Sequence, residues 1–186
     1  MNQRHSFYLA IGIAALCVAV GANAQEDQFG FIPPGGRTIL LELIGNGDGG
    51  TLSDIAGRDQ SEADWEAWAK SRNSALGQDR LATFSGYAAL NLPLGDSVLE
   101  AIVESSDATL LPPDGKDLAI ANCQFCHSLF SGYLMIDRDE IGWKNTFKAP
   151  FHQQIQMTET ERDTFAKYSA INMPMKFEDV IPEMRF

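Results

Sequence analysis

The chain has 186 residues, three cysteines, three histidines and a formal net charge of −11, from 14 basic against 25 acidic side chains. Such a surface argues against nucleic acid or anionic lipid as a partner and favours a basic protein. So few cysteines exclude a framework of disulfide staples as the source of stability.

The first element is an apolar run from Phe7 to Val20 behind Arg4, closed by the small residues Ala22-Asn23-Ala24. This is the pattern of a cleavable secretory signal over residues 1–24, too short for a membrane span. Leu16 before Cys17 disfavours lipid attachment there. Cleavage removes His5, Cys17 and one Arg, so the mature chain from Gln25 carries a charge of −12, two cysteines and two histidines. The expected location is the periplasm, and no later run reaches membrane length.

A repeat organises the mature chain. Leu81 to Leu94, "LATFSGYAALNLPL", matches Arg162 to Met175, "RDTFAKYSAINMPM", without a gap. Thr83, Phe84, Tyr87, Ala89, Asn91 and Pro93 recur as Thr164, Phe165, Tyr168, Ala170, Asn172 and Pro174. Both segments have helical spacing. Upstream, "GRDQSEADWEAW" echoes "DRDEIGW". The expectation is an all-α duplication, with a first unit over 25–105 and a second over 106–186. The division falls at "SSDATLLPPDG", whose prolines and polar flanks suit a linker.

The second unit opens with "DGKDLAIANC", which places Leu118, Ile120 and Ala121 on one side of a short helix, and then reaches Cys123-Gln-Phe-Cys126-His127. A thiol-redox pair of the thioredoxin kind needs a strand before its CxxC. A structural zinc site needs four ligands, and only one further histidine is at hand. Covalent haem suits the pattern: two thiols bond the two vinyl groups, and the adjacent imidazole meets the iron. Cys123, Cys126 and His127 are therefore the candidate haem c site. The corresponding part of the first unit, "RTILLELIGNGDGG", has neither Cys nor His, so that unit is expected to be haem-free.

With these residues the chain resembles the class I c-type cytochromes over about Pro113 to Tyr168. "DGKDLAIANCQFCHSL" is similar to their N-terminal helix and attachment motif, and "MTETERDTFAKYSAIN" to their C-terminal helix. Thr158 and Glu161 have capping-box spacing, with Met157 placed for a staple contact. The segment "SLFSGYLMIDRDEIGWKNTF" also resembles the cytochrome subunits of periplasmic sulfite dehydrogenase-type enzymes. The resemblance implies a haem-bearing relay of single electrons, with a periplasmic dehydrogenase as redox partner. The sixth ligand departs from that pattern, because Pro150 stands where the methionine of those subunits would lie. His152 is the preferred alternative, with Met173 and Met175 as rivals and Met135 as a core residue near the haem. An open sixth site, as in a haem enzyme or gas sensor, is the competing functional reading. Trp143 reads as a core wall, and Arg138 either as a haem-propionate partner or as a partner of Asp139 or Glu140.

Overall fold

The computed structural model describes residues 28–45 and 48–186; the expected signal lies outside them. Among the described residues all regular structure is helical: α1 (Gly36–Ile44), α2 (Gly49–Ala56), α3 (Glu62–Arg72), α4 (Gln78–Asn91), α5 (Asp96–Ser105), α6 (Gly115–Cys123), α7 (Glu140–Thr146) and α8 (Glu159–Asn172). Short 3₁₀ turns join several of them, and Phe130–Leu134 forms a π-helical turn. No helix among the described residues is long and apolar enough to cross a membrane.

The helix starts follow from the side chains at their caps. Ser61 accepts from the Asp64 amide ahead of α3, and Asp139 from the Gly142 amide ahead of α7, each satisfying a backbone donor that the first turn leaves unpaired. The Thr158–Glu161 capping box forms at α8. Its staple does not: the position four residues into the helix is Arg162, and Met157 is buried in the wall of a cleft described below. On α6 the buried stripe is Gly115, Leu118 and Ala119, with Ala121 exposed. The apolar stripe therefore runs through Ala119 instead of Ala121.

Two cores form, and the halves exchange the segments that precede their first helices. One core gathers Trp65, Phe84, Leu40, Ile55 and Ile102 but also Leu111 from the expected linker. The other gathers Trp143, Phe165, Tyr133 and Leu118 but also Phe29 and Ile32. Tyr87 donates its hydroxyl to the Pro112 carbonyl at 2.8 Å, while Tyr168 donates to Pro33 at 2.6 Å. The proline-rich stretch near residue 112 is thus a packed strap.

α4 and α8, each 14 residues long, pack against one another at the centre. Asn91 Nδ2 donates to Thr164 Oγ1 and Asn172 Nδ2 to Thr83 Oγ1, both at 2.9 Å. The exchange is reciprocal, as a local two-fold arrangement requires. Further pairs repeat: Trp65 meets Phe84 edge-on at 5.9 Å and Trp143 meets Phe165 at 5.8 Å. The Leu94 amide bonds Ala56 at 2.9 Å and the Met175 amide bonds Leu134 at 2.8 Å. A Cβ on Gly36 would lie 2.2 Å from Tyr87 Cβ, and one on Gly115 2.1 Å from Tyr168 Cβ. Both crossings, α1 on α4 and α6 on α8, are so close that only glycine fits.

One feature near this centre is not shared. Asp114, 1 % exposed, accepts from the Asp117 amide of α6 and also from the Arg37 amide of α1, both at 3.1 Å. A single carboxylate thereby caps two helices. Its counterpart is Gly35, where a Cβ would fall 2.0 Å from the Asp114 carboxylate. Burial, then the charge of Asp117, raises the Asp114 pKa to about 6.

Candidate functional site

A cleft opens in the second half between the end of α6, α7, the start of α8 and the loop 147–158. Its walls are mostly apolar, with Trp143, Phe147, Ile155, Met157 and Phe165 on one side. The enclosed part of the cleft is small, about 60 Å³, and the rest of the space between these walls opens to solvent. Cys123, Cys126, His127 and His152 all line it. The sequence-predicted site residues, separated by up to 29 positions, therefore converge on one cavity.

The cysteines are free thiols, Cys123 half-buried and Cys126 exposed. Burial pushes the Cys123 thiol up to about 12. A thiol-redox centre needs the opposite, a thiol made acidic by its surroundings. Among the described residues no three His, Cys, Asp or Glu side chains converge as a metal-holding group, so the motif and His152 do not form the four-ligand cluster of a structural zinc.

The two imidazoles lie edge to face, with ring centroids 6.3 Å apart and planes inclined by 65°. Each has its Nδ1 against a backbone carbonyl: His127 with Ser128 at 3.3 Å, His152 with Thr146 at 3.0 Å. A ring that donates through Nδ1 keeps its Nε2 lone pair for a metal, and the carbonyl sets that tautomer. Two imidazoles each bound at about 2 Å to one ion would have their centroids separated by a distance of this order.

Local backbone explains how each histidine is held. After Cys123 the chain leaves the α6 helix, and the π-helical turn Phe130–Leu134 brings Gly132 beneath the His127 ring. A Cβ on Gly132 would lie 2.0 Å from His127 Nδ1. Such turns recur at functional sites because they re-aim side chains within a helical path. His152 sits on the 3₁₀ turn His152–Gln154 beyond α7, its amide bonded to Ala149.

The other sequence-predicted residues fall elsewhere. Met173 is buried at the end of α8 and Met175 lines a separate surface pocket beside Phe31 and Pro33; neither lines the cleft. Met135 packs against the second core, also outside the cleft. Trp143 is 2 % exposed and forms cleft wall, as a core residue should. Arg138 donates to Thr146 Oγ1 at 2.6 Å and lies over the Trp143 ring. Its carboxylate neighbours are engaged elsewhere: Asp139 caps α7 and Glu140 pairs with Lys144. The buried Trp143 Nε1 has no hydrogen-bond partner, yet neither has Trp65 Nε1 in the other half, so that orphan donor does not mark the site. Sequence reasoning missed Gly132 and the Thr146 carbonyl. Glycine between aromatic residues in "SLFSGYL" was the available signal for the first; a backbone carbonyl leaves none.

No protein family, curated protein or solved structure matches this chain in comparisons with known proteins.

Proposed function

We propose that this protein is a periplasmic one-electron carrier of the class I c-type cytochrome kind, preceded by a haem-free copy of the same helical unit. Cys123 and Cys126 would hold one haem covalently, and His127 and His152 would bind its iron. The observation that carries the reading is the pair of imidazoles 6.3 Å apart in a mostly apolar cleft that both thiols also line. The residues present fit the group in chemistry: mostly apolar walls, two thiols three positions apart, and two ring nitrogens left free by their carbonyl partners.

When bound, haem supplies a reversible one-electron couple whose potential follows its axial ligands and burial. The chain's own residues do the rest. Trp143, Phe147 and Phe165 exclude water from one side of the cleft, which lowers the local dielectric. Gly132 leaves room for the His127 ring to lie flat, and the Thr146 carbonyl fixes the His152 tautomer. If both imidazoles bind the iron, no open position would be left for a substrate, which favours a relay over the open-site enzyme or sensor. The acidic surface would steer a basic redox partner, a dehydrogenase or an acceptor, and make that encounter salt-dependent.

The reduced optical spectrum with and without carbon monoxide tests this. The relay predicts a low-spin spectrum that carbon monoxide hardly alters in the wild type, and a high-spin, carbon monoxide-reactive haem in His152→Ala. A wild type that is already high-spin and reactive would put the open-site reading in its place.

A further inference from the structure

Resting on the haem reading above, we propose that Arg138 is a positioning residue for His152, acting through the last residue of α7. The C-terminal carbonyls of a helix lack intrahelical partners and carry its partial negative charge. Thr146 ends α7, and its carbonyl accepts from His152 Nδ1 at 3.0 Å and from the Ala149 amide at 3.2 Å. The position of that one carbonyl decides which imidazole nitrogen carries the proton and where the ring points.

Terminal helix residues fray unless something holds them. Arg138 supplies the hold. It sits before the Asp139 cap at the other end of the same short helix, and its Nη1 donates to Thr146 Oγ1 at 2.6 Å. Its guanidinium lies 5.3 Å from the centroid of Trp143, midway along the helix and in the cleft wall. Arg138 therefore ties the start of α7 to its end across the outer face. A chain of contacts runs from guanidinium to hydroxyl, from that residue's carbonyl to Nδ1, and ends at the ring that lines the cleft.

The first half supplies a control. Taking Ser61 and Trp65 as the counterparts of Asp139 and Trp143, Gln60 stands at the position of Arg138 and Trp68 at that of Thr146. Gln60 Oε1 is buried with no partner, and the loop that follows carries no histidine. The clamp occurs in the half that has a ring to position.

The test compares carbon monoxide association with the reduced holoprotein in wild type, Arg138→Gln, Thr146→Val and the double variant, with thermal unfolding measured alongside. Loss of an outer partner of a metal-bound histidine costs about ten- to hundredfold in metal affinity or activity, and these variants loosen that partner without removing it, so the lower end applies. Each single variant should therefore bind carbon monoxide about tenfold faster, and the double variant no faster than either, because both break the same link. Unchanged rates with lowered melting temperature would reduce Arg138 to a structural role, and effects that multiply would sever it from Thr146; either overturns the proposal. Should Arg138→Gln fail to fold, Thr146→Val decides alone, since it removes only the hydroxyl's bonding. A wild type without haem, or one whose rate equals that of His152→Ala, overturns the underlying ligand reading, a result distinct from a clamp that fails in a chain where His152 does bind.

Discussion

The two halves share a frame and differ in what fills it. In each, a glycine-bearing helix crosses a 14-residue helix, and a buried Trp meets a Phe edge-on at nearly the same distance. In the second half the space beside that Trp–Phe pair is a cleft ringed by two thiols and two imidazoles. In the first, Trp68 lays its indole 5.5 Å from Phe84, and the loop to the next helix shrinks from twelve residues, 147–158, to five, 73–77. At the place of His127, by the spacing that relates Ala56 to Leu134, stands Gly49, whose Cβ would strike the Ile102 carbonyl of α5 at 2.4 Å. A unit of this size draws only marginal stability from its own apolar core. One half completes its core with an indole and an added helix, and the other is left with a space that a flat apolar group would complete.

The largest break in this comparison comes from the central phenylalanines. Phe84→Ala and Phe165→Ala should each cost about 3–5 kcal/mol. Because the halves exchange Leu111 for Phe29 and Ile32, each should lower one common unfolding transition in calorimetry. Two separated transitions would show that the halves are independent.

Trp68→Ala reopens the filled space. Its ring is only partly buried, so the loss should fall below the full-burial range, at about 2 kcal/mol. Thr146→Trp, the converse change, should leave global stability within that margin but prevent haem uptake, read from the Soret absorbance of the purified protein. Uptake at wild-type levels would mean that the cleft does not bind where the comparison places it.

Of similar size is the central exchange. Asn91→Ala and Asn172→Ala each remove a part-buried bond to a threonine and one to a tyrosine carbonyl, worth about 1 kcal/mol apiece. Near-equal losses in urea unfolding would support the two-fold arrangement, and a loss at one site only would contradict it.

The Asp114 carboxyl sharpens the asymmetry through pH. Its folded-state pKa, raised by burial to about 6, lies above the ordinary 3.8 of the unfolded chain. The proton it holds stabilises the native state fully below that ordinary value. This contribution is lost as pH rises through about 6. Asp114→Asn should flatten the decline in stability between those limits, measured by urea unfolding at stepped pH. An unchanged slope would assign the decline to other groups.

Much of this was legible in residue pattern. The Cys-x-x-Cys-His motif, the capped last helix and the Tyr–Asn–Pro repeat are side-chain patterns, and side-chain period survives in sequence. The register of the upstream echo was not: Arg58 lies seven residues before Trp65 but Arg138 five before Trp143. The caps align instead, Ser61 with Asp139. A further match, Pro33-Pro34-Gly35-Gly36 with Pro112-Pro113-Asp114-Gly115, was readable and pairs the start of α1 with that of α6. Reading that second stretch as a linker hid it, because proline and polar residues look alike in a free loop and in a strap whose carbonyl holds a tyrosine. The Thr146 carbonyl and the double cap at Asp114 depend on tertiary placement of backbone groups, which no side-chain pattern encodes.

Whether the second half's cleft holds a covalent haem, as proposed, is read most directly from the intact mass of the mature protein after acid-acetone extraction. One haem should remain per chain, and it should be lost when Cys123 and Cys126 are both changed to Ala. A wild-type mass equal to the bare polypeptide would contradict the account.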